Sequence, residues 1–238
     1  MKRIMCLLII VSLTGLLGMT AQQAYTERAL TGMGGLDLTE KGGITLQQEA
    51  LAAFTAMQLA ALKDGIHLAV VSGYRSFERQ KQLWNRKYRS YIAAGLTPQA
   101  AIEKITRYST IPGTSRHHWG TDVDLIDVAQ KMPKDPLLAD HYTGKGVYAP
   151  LRAWLMMHAE SYGFYLVYDN DPRRKGFAYE PWHYSYKPLS KPMLGLFLNI
   201  GLPAFYRGKS FEGKAYLTPT LLARYRREQL QCIHTALR

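Results

Sequence analysis

The stretch SRHHWGTDVDL, residues 115–125, places two histidines, a glycine and two aspartates within eleven positions. Its second half continues into VDLIDV, which has the apolar and β-branched character of a strand. Imidazole and carboxylate groups are common zinc ligands. A polar turn whose aspartates bond the backbone has the same composition, however. The stretch therefore indicates a metal site only if other segments of the sequence supply the rest of that site.

Spacing within this stretch leaves the choice of metal ligands open. His117 and Asp124 are seven residues apart, so an uninterrupted strand would point them to opposite faces. A turn at Gly120 would let both side chains converge. Asp122 points the same way as Asp124 on the following strand, and His118 competes with His117. The stretch alone thus indicates a candidate metal site without identifying its ligands.

A second candidate segment is EPWHYSY, residues 180–186. Glu180 and His183 are three residues apart around a proline, at the end of a predicted strand. A glutamate beside a zinc ion can take a proton from water, because the metal lowers the pKa of the water it holds to about 7. His183 would complete the ligand set, and Trp182 would wall the cavity. The alternative is an edge strand whose Glu180 and His183 face solvent.

A third segment is SGYRSFERQ, residues 72–80, in which Arg75 falls between the end of a predicted strand and the start of a helix. A guanidinium in that position can grip a carboxylate or a developing oxyanion with two hydrogen bonds. A surface arginine beside a helix cap is the simpler interpretation of Arg75 alone. The three segments in this order, each at a strand end, are harder to explain as unrelated features.

Together the three segments resemble the zinc D-alanyl-D-alanine carboxypeptidases of the VanY type, a group related to VanX-like dipeptidases and LAS-type peptidoglycan peptidases. The resemblance rests on SGYRS, on the pattern S-x-H-x-x-G-x-x-x-D at residues 115–124, on YGFYLVY, and on EPWH at residues 180–183. It spans about residues 45–187. As a combination, these motifs are highly specific.

The resemblance implies a metal centre and a catalytic base. His117, Asp124 and His183 would bind a zinc ion (Zn2+), and Glu180 would be the catalytic base. Asp122 departs from the family pattern, in which the position two before the ligand aspartate is often small. Its carboxylate would either support a histidine ligand or point into the sheet.

The resemblance also implies the substrate contacts and the reaction. Arg75 would stabilise the substrate carbonyl or carboxylate, and Ser115 and Trp182 would line the substrate site. The implied reaction is zinc-dependent hydrolysis of a peptide bond in peptidoglycan stem peptides, with D-alanyl-D-alanine carboxypeptidase activity as the first expectation. L,D-carboxypeptidase and cross-link endopeptidase activities fit the same centre. A non-catalytic cell-wall-binding protein is the alternative of a different class.

Around these segments the sequence predicts an α+β fold. Hydrophobic periodicity and turn residues predict helices at 45–63, 76–95, 97–106 and 150–162, and strands near 66–72, 121–128, 164–168 and 177–186. The resemblance implies a small, mainly antiparallel sheet flanked by helices, as in the LAS-type zinc peptidases.

The two ends of the chain differ from its middle. Residues 1–21 combine Lys2 and Arg3 with an apolar run, which predicts a secretory signal, or an uncleaved anchor, and hence export to the periplasm or cell envelope. Residues 22–189 are predicted to be the catalytic domain with its N-terminal arm. Residues 190–238 carry eight Lys or Arg against two Glu and are predicted to be a basic extension packed on the outside.

The net charge and the cysteine content limit which classes of partner and which kinds of metal site are expected. The net charge of +12 favours anionic partners. Export makes nucleic acid the least expected of these, so we expect electrostatic contact with anionic cell wall or membrane surface through residues 190–238. The two cysteines rule out a cysteine-based zinc cluster, and with Cys6 in the predicted signal they leave no internal disulfide.

Overall fold

The structure, a computed structural model, describes residues 25–238. The predicted signal, residues 1–21, lies outside the described residues. Within residues 25–238, no helix has both the length and the apolar character needed to span a bilayer.

The described chain alternates short strands with helices. The strands are β1 (Leu38–Lys41), β2 (Ile44–Gln47), β3 (Leu68–Ser72), β4 (Asp122–Asp127), β5 (Phe164–Leu166) and β6 (His183–Tyr186). The α-helices are α1 (Glu27–Leu30), α2 (Gln48–Lys63), α3 (Phe77–Ala93), α4 (Pro98–Ile105), α5 (Ala149–His158), α6 (Lys187–Phe197), α7 (Leu202–Phe205) and α8 (Pro219–Tyr225). Short 3-10 helices lie at Arg116–Trp119, Ala139–Tyr142, Ala159–Tyr162, Lys214–Tyr216 and Thr235–Leu237, and a π-helix at Arg226–Leu230.

The four strands that carry the candidate motifs form one antiparallel sheet in the order β3-β4-β6-β5. Strand β4 is central and buried along its whole length. Its Asp124 lies opposite Ser72 of β3 on one side and opposite His183 of β6 on the other. The prediction of an α+β fold with a small antiparallel sheet flanked by helices is confirmed, and the sheet brings the three motif segments to one place.

Two predicted elements begin later than expected. The helix predicted from residue 45 starts at Gln48, because residues 44–47 form β2 in a separate hairpin with β1. The strand predicted over 177–186 is confined to β6, since residues 180–183 form a turn in which the His183 N–H donates to the Glu180 carbonyl (3.0 Å). Pro181 occupies the second position of that turn, where its fixed φ is favoured. Glu180 therefore stands in a turn before the strand.

The hydrophobic core has two clusters. The cluster that we call the sheet cluster joins β3, β4 and β6 to helices α2 and α5. The cluster that we call the helical cluster joins α3 and α4 to residues 190–238. The latter segment contributes these buried side chains: Met193, Leu194, Phe197, Ile200, Leu202, Phe205, Tyr206, Leu222, Tyr225, Leu230, Ile233 and Leu237.

The expectation that residues 190–238 pack on the outside is therefore wrong. The net basic charge of the segment predicts an exposed extension, but its apolar side chains are buried in the helical cluster. Arg207, Arg224 and Arg227 of the same segment are exposed. The segment is thus amphipathic: its charge lies at the surface while its apolar side helps to form the core.

Residues 190–238 also hold the turn that leads into the first histidine motif. The hydroxyl of Tyr225 accepts a hydrogen bond from the Ile111 N–H (3.2 Å) and lies 2.9 Å from Thr114 Oγ1. Tyr206 Oη donates to the carbonyl of Pro112 (2.8 Å). Because all of these groups are buried, the C-terminal segment satisfies polar groups of the turn at residues 111–114 that would otherwise lack these partners.

Candidate active site

His117 lies on the short helix Arg116–Trp119, between the 111–114 turn and β4. Its Nδ1 lies 2.9 Å from the Gly73 carbonyl oxygen, which makes Nδ1 the nitrogen that carries the hydrogen. The other ring nitrogen, Nε2, therefore keeps a lone pair that can bind a metal. Nε2 lies 3.4 Å from Asp124 Oδ2. Gly120 ends the helix at φ 63° in the left-handed region, where a side chain would also collide with Leu38. The predicted turn at Gly120 is present, and through it His117 and Asp124 converge.

His183 is oriented by carboxylates on both of its ring nitrogens. Nε2 lies 2.9 Å from Asp122 Oδ2, and Nδ1 lies 3.0 Å from Glu180 Oε2 and 3.7 Å from Asp124 Oδ1. Burial lowers the pKa of His183, but its hydrogen bonds to Asp122 and Glu180 outweigh burial and raise the pKa to about 10. The surroundings of this ring therefore favour a positive charge, either a proton or a cation.

Asp122 is buried and has hydrogen-bond partners for both carboxylate oxygens. Oδ2 accepts from Arg116 Nε (2.8 Å) and lies beside His183, while Oδ1 accepts from Ser185 Oγ (2.7 Å) and Thr121 Oγ1 (2.8 Å). Burial raises the pKa of Asp122, but Arg116 and His183 together hold it below its usual range. Of the two roles left open for Asp122, the structure favours support of the histidine.

Asp124 differs from Asp122 in having the property that a metal ligand needs, an oxygen that accepts no hydrogen bond. Its Oδ1 is buried and has no hydrogen-bond partner among the described residues. One donor atom each from His117, Asp124 and His183 lies within 4.8 Å of the others, and all three residues are buried. Two imidazoles and one carboxylate are a donor set of catalytic zinc sites. A buried carboxylate oxygen without a partner is costly unless a cation meets it, so the residues present fit a zinc ion.

Glu180 and Arg75 flank this group. Glu180 is 8% exposed, and its Oε2 approaches the same ring nitrogen of His183, Nδ1, that Asp124 does. Arg75 donates from Nη1 to Gln80 Oε1 and from Nη2 to Ser72 Oγ, each at 2.8 Å. Burial lowers the pKa of Arg75, whereas the nearby carboxylates of Asp124 and Glu180 act in the opposite direction. The guanidinium is therefore fixed in place beside the two acidic groups.

His118 has a supporting position away from the group of three. Its Nδ1 lies 2.6 Å from the carbonyl of Arg75, and its Nε2 accepts from the Gly113 N–H (3.1 Å). Burial lowers the pKa of His118 to about 3, so the ring is neutral and keeps the tautomer that these two bonds require. His118 connects the backbone of Arg75 to the 111–114 turn, which distinguishes it from His117.

The candidate site opens into a cavity of about 720 Å³. Ser115, Trp182 and Arg75 line the cavity, as do the three candidate ligands and Glu180. Trp182 packs against Tyr142 with ring centroids 5.6 Å apart, which gives that wall of the cavity a fixed aromatic surface. All the residues predicted for the site thus face one space.

Two further cavity residues were not predicted from the sequence. Tyr168 is buried with its ring perpendicular to that of His183 (centroids 5.2 Å apart), and burial, with Glu180 nearby, raises the pKa of Tyr168 well above the usual value. Lys87 lines the cavity from α3. Tyr168 belongs to the YGFYLVY segment, which the sequence analysis had already associated with the family. Lys87 is one of several basic residues on its helix. Only its helical spacing from Gln80 could have distinguished it from the others as a cavity residue.

Two imidazoles, one carboxylate and an adjacent glutamate form a centre of the zinc-peptidase type. The family described as "VanY: D-alanyl-D-alanine carboxypeptidase" matches residues 43–189, and the chain belongs to this family.

Curated relatives share part of the chain. A D-alanyl-D-alanine carboxypeptidase of Enterococcus faecalis (strain ATCC 700802 / V583) is 35% identical over 130 residues, which cover 53% of this chain and 42% of that protein. The putative carboxypeptidase YodJ of Bacillus subtilis (strain 168) is 30% identical over 145 residues, which cover 59% of this chain and 46% of that protein. The chain thus spans less than half the length of these relatives.

Solved structures share the fold. VanYB in complex with D-alanine-D-alanine superposes with a TM-score of 0.51 at 25% identity, covering 74% of this chain and 91% of that chain. The vancomycin-resistance D,D-pentapeptidase VanY from a VanB-type cassette, a mutant in complex with Zn(II), gives a TM-score of 0.50 at 24% identity, covering 77% and 90%. The α+β architecture of this chain is that of these proteins.

Proposed function

We propose that this chain is a zinc-dependent D-alanyl-D-alanine carboxypeptidase that acts on peptidoglycan stem peptides. The observation that carries the proposal is the group of His117, Asp124 and His183, with Glu180 beside it. Within residues 25–238, the carboxylate of this group has a buried oxygen without a hydrogen-bond partner. Membership of the VanY family and the names of the relatives support the same activity.

The proposed zinc ligands are His117 Nε2, His183 Nδ1 and an oxygen of Asp124. A zinc ion at this position would polarise the scissile carbonyl and lower the pKa of water to about 7. Gly73 and Asp122 would fix the two rings, because each accepts a hydrogen bond from the ring nitrogen that faces away from the centre.

Glu180 is the proposed general base. Its carboxylate faces the centre, where it can accept the proton of the attacking water and then deliver it to the leaving amine. Arg75, held by Gln80 and Ser72, would offset negative charge on the substrate carbonyl oxygen or the terminal carboxylate. Ser115 and Trp182 would form walls of the substrate site.

Digestion of purified muropeptides, with the products weighed by mass spectrometry, tests this function. Loss of one terminal D-alanine from pentapeptide stems is the expected result, and it should stop after chelation and return with added zinc. Loss of D-alanine from tetrapeptides would indicate an L,D-carboxypeptidase, and release of cross-linked partners an endopeptidase. A protein that cleaves none of these in the presence of zinc would contradict the proposal.

The proposed place of action is the cell envelope, in the periplasm or outside the cell. The predicted signal at residues 1–21 supports export, and a substrate in the cell wall requires it. The exposed arginines of residues 190–238 are suited to electrostatic contact with anionic wall or membrane surface. Binding to purified sacculi should weaken as salt rises from low to physiological ionic strength, and binding that ignores salt would argue against an electrostatic contact.

A further inference from the structure

Lys87 is a cavity cation that the proposed mechanism does not use. It lies on α3, seven residues after Gln80 and four after Leu83, and these spacings place the three side chains on one face of the helix. Leu83 and Lys87 line the cavity, and Lys87 is partly buried there. Among residues 25–238, the ammonium group forms no ion pair and no hydrogen bond with a side chain or carbonyl.

In the part of the chain that the structure describes, no acidic side chain contacts the ammonium group of Lys87. Burial lowers the pKa of Lys87, and the positive charge of Arg75 lowers it further, while Glu180 acts in the opposite direction. The remaining cavity acids are Asp124, which belongs to the candidate metal centre, and Asp140, which is exposed on the segment that contributes another part of the cavity lining. A partly desolvated ammonium in this position gains most from an anionic group of a bound molecule.

The backbone of Lys87 lies further along α3 than that of Gln80, the residue that holds Arg75. Gln80 holds Arg75 beside the candidate metal centre, and Lys87 follows Gln80 by roughly 10 Å along the helix axis. An extended peptide advances roughly 3.5 Å per residue, so this distance corresponds to two or three residues of substrate. The cavity of about 720 Å³ has room for more than a dipeptide.

We propose that Lys87 is a specificity-determining residue that binds a free carboxylate of the stem peptide upstream of the terminal D-Ala-D-Ala pair. This inference rests on the proposed function. Two sources can supply such a carboxylate: a diaminopimelate side chain at the third stem position, or the α-carboxylate that a γ-linked glutamate leaves free at the second.

Three synthetic pentapeptides that end in D-Ala-D-Ala test this inference with the zinc-loaded full chain. The parent peptide has γ-linked D-glutamate and diaminopimelate; one derivative has lysine at the third position, and the other has the glutamate carboxylate amidated. Each derivative therefore lacks a single carboxylate. We expect that one of the two removals lowers kcat/KM of the wild-type protein about tenfold or more, chiefly by raising KM.

The variant Lys87→Met should lose the same factor on the parent peptide and show no further loss on the derivative that lacks the recognised carboxylate. Lys87→Arg keeps the charge and should retain the preference. Lys81→Met is the matched control, because Lys81 lies on the same helix but pairs with Glu78 (3.2 Å) outside the cavity. Thermal unfolding of each variant separates a loss of substrate binding from a loss of folding.

Three results would overturn the inference about Lys87: a wild-type protein indifferent to both removals, an equal loss on all three peptides in Lys87→Met, or no change in Lys87→Met. An equal loss would place Lys87 at the terminal carboxylate or in a structural role. The proposed function fails separately, since it fails only if the wild-type protein hydrolyses none of the three peptides.

Discussion

The sheet cluster and the helical cluster both contribute to the cavity of the candidate centre, the first with Trp182 and the second with Tyr168 and Phe177, but they support the centre differently. Strands β4 and β6 provide Asp124 and His183 directly. The C-terminal part of the helical cluster provides none of the three candidate ligands, yet its tyrosines hold the turn that leads into His117. The family match ends at residue 189, before this support begins. The chemistry of the site is thus concentrated in short motifs, whereas its geometry depends on residues far away in the sequence.

Removal of residues 190–238 should produce the largest effect. Each large apolar side chain of this segment in the helical cluster contributes about 1.5–3 kcal/mol through burial. Their sum exceeds the total stability of about 5–15 kcal/mol that is usual for a domain. We expect the truncated chain to lack a cooperative thermal transition in calorimetry and to be inactive. A truncated chain that unfolds cooperatively at the wild-type temperature and cleaves stem peptides would show that the two regions are independent.

Replacement of the proposed base, Glu180→Gln, should lower the rate of hydrolysis without changing zinc binding. Glutamine preserves the shape of the side chain but cannot accept the proton, so we expect kcat to fall by about 10²–10⁴. Zinc content, measured by mass spectrometry of the purified protein, should remain at one ion per chain, because Glu180 is not a proposed ligand. Glu160→Gln, an exposed glutamate after α5, is the control. Wild-type turnover in Glu180→Gln would remove the base from the mechanism.

The variant Asp122→Asn tests the support of the metal centre. It leaves Arg116 and His183 without their shared carboxylate, and loss of such support typically weakens metal binding about 10–100-fold. Competition with a chelator measures this affinity. Asp127→Asn is the matched control: Asp127 is buried on the same strand but accepts from the backbone N–H groups of His67 and Ala129, so its loss should lower stability and leave zinc affinity intact. Equal zinc affinities in Asp122→Asn and the wild-type protein would contradict the supporting role.

The variant Tyr225→Phe should have the smallest effect of these changes. It tests whether the helical cluster supports the turn at residues 111–114. It leaves the buried Ile111 N–H without its acceptor, which costs about 1–3 kcal/mol. We expect the free energy of unfolding in urea to fall by that amount. Tyr216→Phe, at an exposed tyrosine of the same segment, should change it little. Equal stabilities of the two variants would mean that Tyr225 does not hold the turn.

The sequence predicted the sheet side better than the helical side, for physical reasons. Metal ligands and a base need particular residue types at strand ends, so SGYRS, the stretch at 115–124 and EPWH were recognisable. The sequence could not show whether Asp122 or His118 has an atom free to bind a metal. This depends on hydrogen bonds with Arg116, Ser185 and Gly113, which only the fold brings close.

The packing of the helical cluster is harder to predict from the sequence. The apolar residues of 190–238 are spread among basic ones, and their burial follows from contacts with α3 and α4 at great sequence separation. The hairpin of β1 and β2 was not predicted, because the sequence around it is rich in glycine. The residues of β2 were assigned to the helix that follows it. Lys87 required knowledge of which face of α3 meets the cavity.

A crystal structure of the zinc-loaded protein, with anomalous data collected on both sides of the zinc absorption edge, tests whether His117, Asp124 and His183 bind the metal. We expect one anomalous peak in contact with His117 Nε2, His183 Nδ1 and an oxygen of Asp124, with Glu180 close by but outside the ligand set. The absence of a peak among these residues under zinc saturation, or a peak bound to Asp122 or His118 instead, would contradict it.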